Sequence, residues 1–136
     1  MFRQNTAPRS SILVVDIDPN LRRSLGLVLK RSGYAVHTVG RACEALEYLE
    51  SGHYSLVILD LVMVDNRLTL LPTVLRRFPH IPILVFTADW SPETANEIEQ
   101  LGIRAHLIKP ITPKILLECV ETILQEDHRG EYHEKL

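Results

Sequence analysis

The sequence predicts an α/β domain in three layers (α/β/α), with helices over both faces of a mainly parallel sheet. Two observations predict it. Short apolar runs recur at 12–16, 34–39, 56–60, 81–87 and 105–108, several of them apolar at consecutive positions, as strands covered on both faces must be. Between them lie stretches of helical periodicity, so the chain reads as strand then helix, five times over. Such strict alternation implies parallel strands, because right-handed crossovers place successive helices on the two faces.

Each element carries its own signals. "ILVVD" (12–16) is the first strand, and Leu21, Leu25, Val28 and Leu29 mark the first helix, with Asp18 as its cap and Pro19 in its first turn. Gly33 follows that helix where a C′ residue is needed, and "YAVHTV" (34–39) is the second strand. Ala42, Ala45, Leu46 and Leu49 give the second helix, stopped at Gly52, and "LVILD" (56–60) the third strand. After "IPILVFT" (81–87), Ser91-Pro92 repeats the cap-then-proline start and Gly102 the stop. "AHLI" (105–108) is the last strand, and Thr112-Pro113 opens the last helix. One domain is expected over 11–125, with a flexible segment at 1–10 and a charged tail or the start of a linker at 126–136.

Length and composition agree with one soluble core. At 136 residues the chain can bury about two thirds of its unfolded surface without disulfide or metal staples. It is 46% hydrophobic and 24% charged with a net charge of -2, so no overall basic field points to direct binding of nucleic acid or of an acidic membrane. Cys43 and Cys119 are far apart and fall among apolar residues of helical stretches, which reads as small core residues in a reducing compartment. "MFRQNTAPRS" lacks the apolar region of a signal peptide, and no apolar run approaches a membrane span, so a cytoplasmic protein is expected.

In an open parallel sheet, ligands bind beyond the carboxyl ends of the strands. There the first strand delivers Asp16, the third Asp60 and the fourth Thr87; the fifth leads into Lys109, while the second delivers only Gly40 and Arg41. Two carboxylates ending central strands repel one another unless a cation stands nearby. The set suits phosphoryl transfer to an aspartate. Asp60 would be the nucleophile, Lys109 would neutralise phosphoryl oxygens, Thr87 would donate to one of them, and a hard divalent ion held by carboxylates would bridge the rest.

With "ILVVDIDP", "LVILDLVM", "VFTAD" and "LIKP" in this order and spacing, residues 11–125 resemble the receiver domains of two-component response regulators, of the chemotaxis-receiver type. The resemblance implies a flavodoxin-like (βα)5 fold with strand order 2-1-3-4-5. It also implies roles. Asp60 would be the phospho-acceptor, Thr87 the switch hydroxyl, Lys109 the phosphate contact, and Asp16, Asp60 and the Val62 carbonyl the ligands of Mg²⁺. It implies a sensor histidine kinase or phosphotransfer protein as partner, and allows a homodimer through the helix 4, strand 5, helix 5 face, which carries Glu93, Glu97, Arg104, Lys114, Glu118 and Glu121. It implies no turnover enzyme, at most self-phosphorylation from a phosphodonor and slow autodephosphorylation.

Several positions depart from the family pattern. Ile17 stands where receivers usually have a second acid that binds Mg²⁺ directly, so the metal is expected to bind weakly. Asp18, one place on, either caps the first helix or turns back to replace that ligand. Val64 occupies the usual proline position in a loop without glycine, and His106 the usual Tyr or Phe of the switch. Trp90 is read as a cover for the pocket, a partner contact or helix packing, and Asp89 as local negative charge. His128, Glu131, His133 and Glu134 read as solvated charge rather than a metal cluster.

Three functions compete. The first is a receiver phosphorylated on Asp60 with a weakened Mg²⁺ site. The second is a phosphorylation-independent pseudo-receiver acting through dimerisation or partner binding, favoured by Ile17, Val64 and His106. The third, from another class, is a haloacid-dehalogenase-like phosphatase, since "DID" resembles a D-x-D opening with Asp16 as nucleophile and Asp18 as general acid; Pro19-Asn20 in place of Gly-Thr speaks against it.

Overall fold

The strands differ in how fully they are covered, and the difference follows their place in the sheet. In the computed structural model, which describes residues 10–61, 67–88, 91–103 and 105–134, with the side chains of 67–69 and 127–134 excepted, β1 (Ser11–Val15), β3 (Leu56–Asp60) and β4 (Ile83–Thr87) are the central strands. Both faces of these three are packed, so apolar residues run on without alternation. The flanking strands β2 (Ala35–Val39) and β5 (Ala105–Ile108) are only partly buried. All neighbours pair in parallel, in the order β2-β1-β3-β4-β5 expected of a flavodoxin-like fold.

The helices α1 (Pro19–Arg31), α2 (Ala42–Ser51), α3 (Arg67–Arg77), α4 (Pro92–Gln100) and α5 (Pro113–Glu134) divide between the faces. Period-two alternation along the strands decides which face each residue serves. Ile12, Val14, Ile58, Leu84 and Phe86 pack with Leu25 and Leu29 of α1 and with Leu116, Val120 and Ile123 of α5. Leu13, Val15, Val57, Leu59 and Val85 pack with Ala45 and Leu49 of α2, Leu70, Leu71 and Val74 of α3, and Ile98 of α4. Three layers result. Among the described residues no helix is long and apolar enough to cross a membrane.

Helix starts follow the cap-then-proline signals. Asp18 accepts hydrogen bonds from the N–H groups of Asn20 (3.0 Å) and Leu21 (3.5 Å) ahead of α1. Ser91 accepts from the N–H of Thr94 at 3.2 Å, and Thr112 from that of Ile115 at 3.3 Å. Asp18→Ala should therefore lower stability by about 1 kcal/mol, read as a shift of the urea midpoint at unchanged slope.

Gly33 and Gly102 take positive φ (98° and 77°), which explains glycine after α1 and α4. Gly52 behaves differently from the expected left-handed residue. Its φ is -127°, an extended conformation, and its missing Cβ leaves room for the Tyr54 ring, which that atom would meet at 3.0 Å. Cys43 also departs from expectation: it is exposed, because Ala42, Ala45 and Leu49 set the buried stripe of α2 and position 43 is rotated off it. Cys119 is half-buried. α5 continues as helix through residues 126–134, part of the segment read as a charged tail or the start of a linker. Residues 1–9, Val62, Val64, Asp89, Trp90 and Arg104, and the side chains of His128, Glu131, His133 and Glu134, lie outside the described residues.

Candidate functional site

Strand register brings the chemical residues together. Val15 pairs with Leu59, so the next residue on each strand sets Asp16 beside Asp60. Asp60 pairs with Phe86 and Thr87 with Ile108, so the same end of the sheet receives Thr87 and, one step beyond β5, Lys109. The lysine's backbone N–H donates to the Thr87 carbonyl at 2.9 Å, which ties its position to β4. The peptide bond that follows, Lys109-Pro110, is cis.

The side chains converge as well. Asp16, Asp60 and Thr87 are buried, and Lys109 reaches in from the rim. Lys109 Nζ donates to Asp60 Oδ2 at 2.8 Å and lies 3.6 Å from Asp16 Oδ2. Asp16 Oδ1 accepts from the N–H of Asp18 at 2.9 Å, whereas the buried Oδ2 has no hydrogen-bond partner. One ammonium thus faces two carboxylates.

Burial raises the pKa of Asp16 above the ordinary aspartate value; the Asp18 N–H opposes this, the Asp60 charge adds to it, and Lys109 draws it back. For Lys109, burial pulls the pKa down, but the hydrogen bond to Asp60 and the charges of Asp60 and Asp16 outweigh it and leave the pKa above the ordinary lysine value.

The remaining candidates stand apart from this cluster. Ile17 is 42% exposed, and the exposed carboxylate of Asp18 is engaged at the start of α1. His106 lies on β5 with its side chain exposed. One neighbour of the site was not legible as such: Arg22 of α1 donates from Nη1 to the Asp16 carbonyl at 2.7 Å. In sequence it is one of three arginines of α1, and although its spacing to Leu25, Gly26 and Leu29 puts it on the buried face, no local pattern tells what a guanidinium there would meet.

The donor set fits a hard divalent cation. Asp16 and Asp60 offer carboxylate oxygens, and the buried Asp16 Oδ2 without a hydrogen-bond donor is an atom a cation would satisfy. The set is small, however. Among the described residues no group of three or more His, Cys, Asp or Glu could hold an ion.

Known proteins share this fold. The profile of the response regulator receiver domain matches residues 12–121. The chain is 36% identical over 120 residues to the DNA-binding transcriptional regulator NtrC of Bradyrhizobium sp. (strain RP501 Parasponia), covering 88% of this chain and 25% of that protein. It is 32% identical to the transcriptional regulatory protein GlrR of Escherichia coli (strain K12), with 85% of this chain and 26% of that one covered. The chain thus spans about a quarter of the length of these two relatives. A CheY-like receiver domain protein of Methanospirillum hungatei JF-1 superposes with a TM-score of 0.83 at 27% identity, over 88% of this chain and 97% of that one. The chemotaxis protein CheY4 of Vibrio cholerae does so with 0.78 at 28% identity, over 85% and 98%. With the profile spanning the sheet from β1 into α5, the chain belongs to the response regulator receiver domain family.

Proposed function

We propose that this receiver domain accepts a phosphoryl group on Asp60 in a two-component phosphorelay, with Mg²⁺ binding weakened because Ile17 stands in place of a second acid. The observation that carries the proposal is the 2.8 Å contact of Lys109 Nζ with Asp60 Oδ2, beside the buried Thr87. As a receiver domain the chain belongs to a class that works with sensor histidine kinases or phosphotransfer proteins.

The chemistry needs little from the chain beyond position and charge. A carboxylate oxygen of Asp60 bonds to phosphorus as the P–N bond of a phosphohistidine breaks. The bonding pair stays on the ring nitrogen, and the ring leaves as neutral imidazole once its other nitrogen is protonated. Lys109 moves its hydrogen bond from Asp60 to a phosphoryl oxygen, and the Thr87 hydroxyl donates to another. Mg²⁺, when bound, offsets negative charge on the phosphoryl group; Asp16 and Asp60 would hold it, with the Val62 carbonyl as the third protein ligand.

The receiver unit is 11–125, with 126–136 a charged tail or the start of a linker; His106, exposed on β5, is the switch position; homodimerisation uses the α4, β5, α5 face. The protein is cytoplasmic, turns over no substrate beyond self-phosphorylation and slow autodephosphorylation, and contacts neither nucleic acid nor membrane directly.

A pseudo-receiver that works through partner binding alone is the second reading. It is favoured by the exposed Ile17 together with the engagement of Asp18 at the helix cap, which leaves the usual second acid unreplaced. The haloacid-dehalogenase-like reading fails on the family assignment and on that same cap, since Asp18 would have to serve as its general acid.

Intact mass during incubation with Mg²⁺ and acetyl phosphate tests the proposal. The native chain should gain one phosphoryl mass and Asp60→Asn none. Uptake that survives Asp60→Asn, or its absence from the native chain at saturating Mg²⁺, would refute Asp60 as the acceptor.

A further inference from the structure

Just past the last β1–β2 pair, Val15 with Val39, the chain must leave the sheet and still hold Asp16 in place. The N–H of Asp16 still reaches β2, donating to the Val39 carbonyl at 3.1 Å. Its carbonyl lies beyond the ladder and receives the Arg22 guanidinium at 2.7 Å, a charge-assisted bond. Arg22 is itself fixed by the first turn of α1, where its N–H donates to the Asp18 carbonyl at 2.9 Å. A single side chain therefore ties the start of α1 to the end of β1.

The end of β2 makes room for it. Gly40 does not have positive φ, so backbone freedom does not explain its glycine. A Cβ there would overlap Arg22 Nη1 and stand 3.1 Å from Cζ. The obstacle is the tip of a flexible side chain rather than backbone, so a residue with a Cβ at 40 would leave the fold intact and turn the guanidinium away.

We propose that Arg22, seated on Gly40, is a positioning residue that holds the Asp16–Asp18 loop so that the Asp16 carboxylate faces Asp60 and Lys109. It acts on the main chain: while Arg22 holds the Asp16 carbonyl, the N–H of Asp18 holds Asp16 Oδ1 and Oδ2 is left for the pocket. With Ile17 contributing no ligand, the pocket relies on the placement of the acids it retains, and loss of supporting contacts commonly weakens a metal site by 10–100-fold. The inference rests on the reading of this pocket as the phospho-acceptor site.

The test uses Arg22→Met, Arg22→Lys, Gly40→Ala and the double variant Arg22→Met/Gly40→Ala in the full chain. In metal-free protein, amide exchange at Asp18 should quicken by about tenfold in Arg22→Met and in Gly40→Ala, without a matching rise across the sheet. Calorimetric titration with Mg²⁺ alone should show about tenfold weaker binding in each. Because both changes remove the same contact, the double variant should be no worse than Arg22→Met, and Arg22→Lys should recover part of the loss.

An unchanged Asp18 amide, additive effects in the double variant, or a rise in exchange throughout the domain would overturn the positioning role. Phosphoryl uptake by the native chain separates the two readings. If uptake fails while the exchange and Mg²⁺ effects appear, the acceptor reading falls and the clamp stands; uptake with none of those effects removes the clamp alone.

Discussion

Ile17→Asp is expected to tighten Mg²⁺ binding by at least about tenfold, measured by calorimetric titration. Mg²⁺ takes hard oxygen ligands in near-ideal octahedral geometry, and each anionic ligand lost from a site at the end of a sheet leaves more of the shell to water. Ile17 is 42% exposed between Asp16 and Asp18, so it adds little to the core that an aspartate would forfeit. An added carboxylate would increase repulsion in the metal-free protein and so favour cation uptake further. Unchanged affinity would mean that another group already fills the missing position. The Asp18 carboxylate is engaged with Asn20 and Leu21 N–H groups, which makes it a poor substitute.

The fold was legible because its central strands are buried on both faces, which forces long unbroken apolar runs. The run at 56–60 coincides with β3 and that at 105–108 with β5. Edges were read less well where apolar residues serve a turn: Tyr34, before β2, and Ile81, before β4, are buried without joining a strand. Asp16, Asp60, Thr87 and Lys109 stood out because each ends or follows a strand in matching phase, and register then sets them side by side. Arg22 and Gly40 did not. Their meaning lies in a contact between the first turn of α1 and the end of β2, which local periodicity cannot express. Cys43 was misplaced for a related reason, since a small apolar residue one step off a helical stripe looks like part of it.

Lys109→Met should lower stability by about 2–3 kcal/mol at neutral pH, less than the roughly 3–5 kcal/mol for breaking a fully buried pair because the Lys109 side chain is 22% exposed. The change leaves two buried carboxylates facing each other without their ammonium. Its pH dependence follows from two raised pKa values. Lys109 lies above its ordinary 10.5, so its contribution is complete below 10.5 and is lost as pH rises through the folded value. Asp16 lies above its ordinary 3.8, so its protonated form favours the fold below 3.8, and that advantage disappears as pH rises through its folded value, where the ionised carboxylate comes to depend on Lys109. The cost of Lys109→Met, measured by urea unfolding across pH, should thus be a plateau between the two folded values that declines on either side. Mg²⁺ should restore part of the lost stability, since the cation and the ammonium neutralise the same oxygens, and the variant should bind Mg²⁺ more tightly than the native chain while failing to retain the phosphoryl group. A cost that does not vary with pH, or one that Mg²⁺ leaves untouched, would mean that Lys109 supports the fold through packing and not through the charge of Asp16 and Asp60.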